Sequence, residues 1–335
     1  VECGTKHRSC TMKPPLFWYQ DSSIIGAFLS PLGFLYSAAT AYRLRQSSTH
    51  RATVPVICIG NINAGGTGKT PTVIALTQRL IEFGQIPHIV SRGYGGSIGG
   101  PVQVDLTTQN VHEMGDEPLL LAAFAPTWVS KDRAQGVKAA EAAGATVILL
   151  DDGFQNPSVY KDLNIVVVDA IKGFGNGRVI PAGPLREPTK AGFARADFVL
   201  AIGTDEARAA FTPDLPLHCV RLNAQLDALP TGMPWDGLSV LAFAGIGHPE
   251  KFFATLKDLG ADVVRCEALD DHQPFTNTLL TRMETEAKSR GLIMVTTEKD
   301  ATRLPDSFRS KVTVLPVRLS LLDWRPLDAK LALLG

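Results

Sequence analysis

Residues 61–71 read NINAGGTGKTP and directly follow the apolar run Val54–Gly60. A glycine-rich turn that ends in Gly-Lys-Thr after a buried strand is typical of a P-loop, whose pattern is Gly-x-x-x-x-Gly-Lys-[Ser/Thr]. Residues Gly68–Thr70 supply the end of that pattern, whereas Asn63 stands at its first glycine. The stretch therefore predicts a phosphate-binding loop, with an ordinary glycine-rich strand–helix turn as the alternative.

The chemistry of a phosphate-binding loop gives each of these residue types a role. Two glycines, Gly65 and Gly66, leave the backbone free to curl so that its N–H groups can point at phosphate oxygens. We expect Lys69 to reach the β- and γ-phosphates, the Thr70 hydroxyl to bind Mg²⁺, and a helix to begin at Pro71. The predicted nucleotide-binding residues are Gly65, Gly66, Thr67, Gly68, Lys69 and Thr70.

A second motif of nucleotide-binding proteins is TVILLDDGF at 146–154, an apolar strand that ends in Asp151 and Asp152. Carboxylates at the C-terminal end of a parallel strand near a P-loop hold Mg²⁺ or its water. We therefore predict that Asp151 and Asp152 bind the metal together with Thr70. A loop start or a helix cap is the structural alternative.

The order of apolar runs predicts an α/β fold. From Val54 onward these runs alternate with helical stretches, which indicates a P-loop NTPase-type parallel sheet covered on both faces. A Pro/Gly-rich break at 226–237 precedes a second, smaller α/β pattern. The expected units are an N-terminal leader and apolar segment (1–50), a P-loop domain (51–225) and a smaller domain (238–310). Segments 217–222 and 312–319 could pair as a connection between the domains.

The segment 22–42, SSIIGAFLSPLGFLYSAATAY, contains no charged residue and has about the length of a membrane span. Serine, threonine, glycine and the central Pro31 make it a poor span. Three interpretations remain open from the residues alone: a buried, proline-broken helical segment of the globular domain, a helix that lies on or dips into a membrane surface, and a true span.

Charge and cysteine content exclude some classes of protein. Lys+Arg and Asp+Glu both number 33, so the zero net charge gives no general reason to expect nucleic-acid binding. The five scattered cysteines form no CxxC pair. They fit a reducing compartment and argue against a disulfide framework or a structural zinc site.

Transfer of a phosphoryl group to a hydroxyl needs a base and cations, and several stretches outside the P-loop carry such groups. The candidates are Asp116, Glu117, Arg133, Arg178, Arg186 and His272. Asp116 and Glu117 precede a predicted helix, where simple N-capping is the alternative. His272 lies in DDHQPF, where a purely structural role is equally compatible. The arginines of 173–188 lie in a loop that is too long for a tight connection, which indicates a functional loop.

Together these stretches resemble one family, the tetraacyldisaccharide 4′-kinases, which are the lipid A 4′-kinases of Gram-negative bacteria. The resemblance covers nearly the whole chain from about residue 15. It is carried, in family order, by GNINAGGTGKTP, SRGYGG, GDEP, DDGFQ, GFGNGRVIPAGPLREP, AGIGHPEKFF, DDHQPF and TTEKDATRL. Eight stretches in the family order are far more specific than a lone P-loop.

The resemblance implies a reaction and a location. The γ-phosphate of ATP, with Mg²⁺, would pass to the 4′-hydroxyl of a lipid A disaccharide 1-phosphate. The family also implies two α/β domains with ATP in the cleft between them, and an N-terminal apolar element that touches the inner membrane from its cytoplasmic face. This favours membrane contact for residues 15–45. No nucleic acid and no obligate protein partner are expected.

The resemblance also implies roles for single residues. Asp116 matches the family's proposed base and His272 its partner from the second domain, while Lys69 matches the phosphate-binding lysine. Asp151 and Asp152 match the metal-side acids, and Glu117 and Arg133 match further polar positions of the active site. Arg178 and Arg186 are the arginines expected to hold the sugar or the 1-phosphate. The family commonly has His after DDGFQ, and this chain has Asn156; we expect activity to survive this change.

Two other functions are weighed against the kinase. A nucleotide-driven switch that acts on a protein is disfavoured because Phe154 stands where a DxxG turn needs glycine. In TTEKD, Lys299 and Asp300 are adjacent, unlike the guanine motif, and Ala64 replaces the extra lysine of partitioning-type ATPases. A catalytically silent membrane-binding scaffold is disfavoured by the intact P-loop residues and acidic groups.

Overall fold

The apolar runs of the sequence become the strands of two sheets. The computed structural model describes residues 14–20, 22–46, 50–271 and 273–334. Its strands are β1 (Val56–Gly60), β2 (Pro87–Ser91), β3 (Val102–Gln103), β4 (Thr127–Val129), β5 (Val147–Asp151), β6 (Leu163–Asp169), β7 (Phe198–Ile202), β8 (Val220–Ala228), β9 (Ser239–Ala244), β10 (Asp262–Ala268), β11 (Ile293–Thr297), β12 (Val312–Leu315) and β13 (Val317–Leu321).

A short 3₁₀ helix, Leu16–Tyr19, precedes the α-helices. These are α1 (Ile24–Leu44), α2 (Lys69–Glu82), α3 (Val111–Met114), α4 (Asp116–Ala122), α5 (Arg133–Ala142), α6 (Thr189–Phe193), α7 (Asp205–Ala210), α8 (Pro249–Asp258), α9 (Asn277–Arg290), α10 (Glu298–Ala301), α11 (Asp306–Arg309) and α12 (Arg325–Leu331).

The larger sheet has the order β13-β8-β7-β6-β1-β5-β2-β4-β3, and only its two edge strands, β13 and β3, run antiparallel to their neighbours. Strands β1, β2, β5 and β7 are buried along their whole lengths. Helix α2 packs on one face of this sheet and α5 contacts strands β2 and β4. Continuous apolar strands between helical layers are what a parallel sheet requires, and the predicted P-loop-type sheet is confirmed.

The smaller sheet, in the order β10-β9-β11-β12, is entirely parallel. Helices α8 and α9 pack against its strands and bury apolar side chains such as Leu256 and Leu280. The second α/β unit predicted from the sequence is therefore present. Between the two sheets, the chain passes along β8 and returns along β13, and these two strands pair antiparallel with Ala224 opposite Leu321.

Two local predictions are displaced by a few residues. The pairing expected between 217–222 and 312–319 joins 224–228 to 317–321 instead, because 220–224 pairs with β7 and 312–315 belongs to the smaller sheet. Helix α2 begins at Lys69, two residues before the predicted Pro71. Proline is still tolerated there, since the first turn of a helix has no intrahelical acceptor for its N–H groups.

Helix α1 is the one helix in the described part of the chain that is long and apolar enough to cross a membrane. It continues through Pro31 without a break. Large apolar side chains point away from the protein: Ile24, Phe28 and Phe34 are 87, 84 and 74% exposed. The interpretation of this segment as a buried, proline-broken helix is therefore wrong.

Small residues hold α1 against the rest of the chain. Gly26, Gly33 and Thr40 are its buried residues, and they recur at a spacing of seven, which keeps them on one face. A Cβ on Gly33 would lie 2.7 Å from the backbone oxygen of Val179. The helix backbone thus packs directly on the 173–188 loop.

We expect Gly33→Val to loosen α1, because the added side chain collides with the backbone at Val179 and overpacking costs about 1–3 kcal/mol. Hydrogen exchange of peptides from 173–188 should accelerate. The exposed Ala38→Val in the same helix is the matched control and should leave exchange unchanged. Equal exchange in both variants would show that Gly33 does not set the contact.

Candidate active site

The turn from β1 into α2 uses backbone conformations that favour glycine. Gly65 and Gly68 have φ of 105° and 94°, in the left-handed region. A Cβ on Gly68 would lie 2.6 Å from Cδ1 of Ile202. No atom lies within 4 Å of a Cβ built on Gly65 or Gly66. The turn therefore borders open space beside the N-terminus of α2, where the helix dipole and N–H groups stabilise anions.

Two buried asparagines hold the loop in shape. Asn61 Nδ2 donates to the Gly65 oxygen at 3.2 Å and to Thr67 Oγ1 at 3.1 Å. Asn63, which replaces the first glycine of the P-loop pattern, donates from Nδ2 to the Gly173 oxygen at 2.9 Å. The Asn63 side chain, which stands where the P-loop pattern has glycine, thus connects the P-loop to the start of the 173–188 loop.

Lys69, the first residue of α2, faces the end of β5. Its Nζ lies 3.7 Å from Oδ1 of Asp152. Arg186 also contacts this carboxylate, with Nη1 2.9 Å from Oδ1 and 3.2 Å from Oδ2. Burial opposes ionisation of Asp152, but Lys69, Arg186 and Arg133 together hold its pKa below the usual value. Asp152 therefore stays anionic beside the P-loop.

Asp151 occupies a different environment although it is the adjacent residue. It is buried, its Oδ2 accepts a hydrogen bond from Ser91 Oγ at 3.0 Å, and its Oδ1 has no hydrogen-bond partner. Burial, together with the carboxylates of Glu117 and Asp152, raises the pKa of Asp151 to about 6. An oxygen of this kind is well suited to a cation, which would compensate both the burial and the repulsion.

The oxygen donors around Asp151 suit Mg²⁺ better than they suit a metal whose ligands all come from protein side chains. No group of three His, Cys, Asp or Glu residues that could hold a metal occurs in the described residues. Mg²⁺ does not need one, since it keeps several waters and takes oxygens from substrate phosphates. Asp151 and Asp152 at the end of β5 and Thr70 beside Lys69 supply oxygen ligands of the preferred kind.

Arg133 lies behind this pair of carboxylates. It is buried, and its guanidinium donates to the backbone oxygens of Val90 at 3.3 Å and Asp152 at 3.1 Å. Burial lowers the pKa of Arg133, and Asp151 and Asp152 counteract that effect. These contacts indicate that Arg133 stabilises the backbone at the end of β5, behind the two carboxylates.

Asp116 and Glu117 open α4 and meet residues from the smaller sheet. Asp116 is only 2% exposed, and its Oδ1 accepts from the Glu117 N–H at 2.9 Å. Lys299 Nζ lies 3.2 Å from Oε1 of Glu117 and 3.9 Å from Oδ2 of Asp116. Arg303 Nε lies 3.7 Å from the same Asp116 oxygen. Asp116 is therefore more than a helix cap, because cations from the other sheet face it.

The loop after β9 lies over the P-loop. A Cβ on Gly247 would come within 3.7 Å of the Gly66 nitrogen. Nearby, Lys251 Nζ lies 2.8 Å from Oδ2 of Asp169 at the end of β6. The smaller sheet thus borders the P-loop as well as Asp116.

Three other residues of the sequence analysis have different surroundings. Arg178 donates from Nη1 to the Gly26 oxygen, at 3.3 Å, and to Ser30 Oγ, so it contacts α1 and is not brought to the P-loop group. The Oδ1 of Asn156 accepts from the N–H and hydroxyl of Ser158 in a local turn. His272 lies outside the described residues.

Sequence reasoning missed Lys299, Arg303 and Ser91 as members of this site. The stretch that contains Lys299 and Arg303 was recognised as a motif, but residue spacing gave no sign that it faces Asp116. Ser91 is the last residue of β2, the strand beside β5. Because polar residues at the ends of adjacent parallel strands lie close together, its position at the end of a strand could have indicated that it belongs to the site.

Known proteins are similar to this chain over nearly its whole length. The family model described as LpxK: tetraacyldisaccharide-1-P 4′-kinase matches residues 25–334. A tetraacyldisaccharide 4′-kinase of Jannaschia sp. (strain CCS1) is 57% identical over 320 residues, which are 95% of this chain and 98% of that protein. The corresponding enzyme of Dinoroseobacter shibae is 56% identical over 330 residues, 96% of this chain and 97% of its own.

A solved structure shares the fold. The crystal structure of LpxK from Aquifex aeolicus in complex with ATP superimposes with a TM-score of 0.74 at 26% identity. The match covers 93% of this chain and 99% of that one.

We expect Asp151→Asn to stabilise the metal-free protein at pH 8. The folded-state pKa of about 6 exceeds the unfolded value near 3.9, so the carboxyl destabilises the fold increasingly as pH rises between these values. The variant should gain up to about 3 kcal/mol above pH 6 and progressively less toward pH 4. Thermal unfolding in EDTA at several pH values measures this gain, with the exposed Asp258→Asn as control. A variant less stable than the native chain at pH 8 would contradict it.

Proposed function

This chain belongs to the tetraacyldisaccharide-1-P 4′-kinase family, and we propose that it transfers the γ-phosphate of ATP to the 4′-hydroxyl of a tetraacyldisaccharide 1-phosphate in lipid A biosynthesis. One observation carries this proposal: Lys69 of the P-loop and Asp152 at the end of β5 meet at 3.7 Å beside the open turn. A phosphate-binding lysine next to carboxylates at the end of an adjacent parallel strand is the arrangement that phosphoryl transfer from a nucleotide requires.

In this reaction the 4′-oxygen forms a bond to the γ-phosphorus while the bond to the β,γ-bridging oxygen breaks, and the hydroxyl proton must leave. We assign Asp116 as the acceptor of that proton. Its carboxylate is buried at the start of α4, and the cationic neighbours Lys299 and Arg303 offset the charge that burial would otherwise disfavour. Lys69 and the N–H groups of Gly65–Gly68 stabilise the negative charge of the phosphates.

Mg²⁺ would be held by Thr70, Asp151 and Asp152, and when bound it neutralises negative charge on the transferring phosphoryl group. The Asp151 oxygen that lacks a hydrogen-bond partner supports this assignment. Arg186 neutralises Asp152 from the other side. Arg133 holds the backbone at Asp152, and Glu117 places a further carboxylate near Asp151.

The acceptor binds between two domains in this proposal, a P-loop domain at 51–225 and a smaller one at 238–310. Ion pairs span them at two places: Lys251 meets Asp169 at 2.8 Å, and Lys299 and Arg303 face the start of α4, where the shortest distance is 3.2 Å from Lys299 to Glu117. Their positions on either side of the P-loop support a substrate site that closes when the domains approach. His272, on the smaller domain, is assigned as a partner of Asp116 by family resemblance.

Helix α1 is proposed to contact the cytoplasmic face of the inner membrane. Its exposed side chains include Phe28, Phe34 and Leu35, and Arg43 and Arg45 lie exposed at its C-terminal end. An apolar helix with terminal arginines suits an interface, where the arginines reach the lipid headgroups. A substrate with four acyl chains stays in the bilayer, so its kinase must work at that surface. Arg178, which fixes α1, supports this contact and is not assigned to the sugar.

The nucleotide-switch alternative finds no support in the site. Lys299, part of the stretch that resembled a guanine motif, faces the carboxylates of Asp116 and Glu117. The matching family consists of kinases, which supports neither a switch that acts on a protein nor a catalytically silent scaffold.

We expect Asp116→Asn to lower phosphoryl transfer by about 10²–10⁴-fold, because it removes the proton acceptor while keeping the side-chain shape. The measurement is transfer of radiolabelled γ-phosphate from ATP to a lipid A disaccharide 1-phosphate in mixed micelles. The exposed Asp214→Asn serves as control and should keep native activity. A native chain that binds and hydrolyses ATP without labelling lipid would refute the kinase.

Membrane contact is tested with the triple variant Phe28→Ser, Phe34→Ser and Leu35→Ser. We expect binding to phosphatidylethanolamine–phosphatidylglycerol vesicles to fall at least about 100-fold, because each lost apolar side chain removes roughly 1 kcal/mol or more. The control replaces three exposed leucines outside α1, namely Leu106, Leu217 and Leu322, with serine. If both triple variants float with vesicles equally well, α1 is not the membrane contact.

A further inference from the structure

Helix α10 starts at the end of β11 and carries Lys299 toward the large sheet. The Lys299 side chain is 18% exposed, and its Nζ lies within 4 Å of three carboxylates. The nearest is Glu117 at 3.2 Å, followed by Asp271 at 3.8 Å and Asp116 at 3.9 Å. One buried ammonium group thus joins the smaller sheet to the first two residues of α4.

The charged neighbours of Lys299 along the chain have partners of their own. Glu298 pairs with Arg318, at 2.5 and 3.0 Å. Asp300 is fully buried, pairs with Arg303 and accepts hydrogen bonds from the Gly245 N–H and from Thr297 Oγ1. The charge of Glu298 is therefore balanced by Arg318 on β13 of the larger sheet and that of Asp300 by Arg303, while Lys299 directs its charge across to α4.

Arg303 is the other cation near Asp116, but it has a different main role. Its guanidinium donates to the backbone oxygens of Gly245, at 2.8 Å, and Gln273, at 3.0 Å, and pairs with Asp300. These contacts fix loops of the smaller sheet. Lys299 is therefore the cation whose removal changes the charge at Asp116 without dismantling its own domain.

The charge on Lys299 is maintained by its surroundings. Burial alone would lower the pKa of this lysine, but Glu117, Asp116 and Asp271 outweigh burial and raise it above the usual value. The side chain consequently remains an ammonium ion at every pH at which the enzyme works. Asp116 in turn faces Lys299 and Arg303 from the smaller sheet and Glu117 from its own helix.

We propose that Lys299 is a positioning residue for the proton acceptor: its ammonium, supplied by the smaller domain, lies beside both carboxylates at the start of α4, balances the negative charge of Asp116 and Glu117, and orients Asp116 toward the acceptor hydroxyl. This inference rests on the proposed function of Asp116. Two adjacent carboxylates repel each other and favour uptake of a proton, and a cation between them removes that tendency. Because Lys299 belongs to the smaller domain, the base is fully prepared only when that domain lies against α4.

The test compares Lys299→Met and Lys299→Arg with Lys251→Met. Lys251 also bridges the two sheets, but its ion-pair partner is Asp169 at the end of β6, at 2.8 Å, and not a carboxylate of α4. Phosphate transfer to lipid A disaccharide 1-phosphate is measured between pH 5.5 and 9 at saturating Mg·ATP. Protonation of ATP affects all variants alike, so it cancels in the comparison.

We expect Lys299→Met to lower kcat about tenfold or more and to move the acidic limb of the kcat profile about one unit to higher pH. Lys299→Arg keeps the positive charge, so the acidic limb of its kcat profile should lie at the same pH as in the native protein. Lys251→Met should also retain the native limb, even if weaker contact between the sheets lowers its activity. Thermal unfolding identifies folded variants, and Lys299→Gln, which keeps a donor for Glu117 without charge, replaces a methionine variant that does not fold.

Two outcomes overturn the inference while the kinase stands: a native pH profile in Lys299→Met, or the same displacement of the limb in Lys251→Met. The second would show that any lost contact between the sheets has this effect. A native chain that labels no lipid would overturn the proposed function, and this inference with it.

Discussion

Strands β1 and β5 are hydrogen-bonded neighbours in parallel register, with Ile59 opposite Asp151, so the P-loop and the two aspartates leave the sheet at the same edge. The arrangement concentrates negative charge where phosphates must also bind. Cations from distant parts of the chain compensate: Lys69 from the P-loop, Arg186 from the 173–188 loop and Arg133 from α5. Asp152 has a φ of 52°, a conformation that non-glycine residues rarely adopt, and these contacts hold it there.

The two adjacent aspartates have opposite pKa shifts because their surroundings differ. Asp152 is surrounded by cations and stays ionised, whereas Asp151 is buried beside other carboxylates and holds its charge poorly until a cation arrives. Such pairs, with pKa values pushed apart, are common at functional sites. In the proposed function, Mg²⁺ and nucleotide would bind where the protein already carries this charge imbalance, and their binding would relieve it.

The second region of charge, at Asp116, lies where the two sheets meet. Its carboxylate lies on the P-loop domain, but two of its facing cations belong to the smaller sheet. Helix α1 is connected to the P-loop region through the 173–188 loop. The small residues of α1 pack on this loop, and Arg186 of the same loop contacts Asp152. In the proposed function, the membrane surface, the nucleotide and the proton acceptor would be connected through loops at one edge of the larger sheet.

The amino-acid sequence by itself determined the strands, the glycine-rich P-loop, the pair of aspartates that follows a buried strand, and the family. These depend on local patterns: buried apolar runs, glycines where the chain must turn, and short motifs in a fixed order. It could not decide whether α1 is buried, because glycine and serine pack a backbone closely in water or in lipid and leave no amphipathic pattern. It also gave no sign that Lys299 meets Glu117, 182 residues away along the chain. Ion pairs of that kind carry no local periodicity, and only the packing of two separately folded sheets brings their charges within reach.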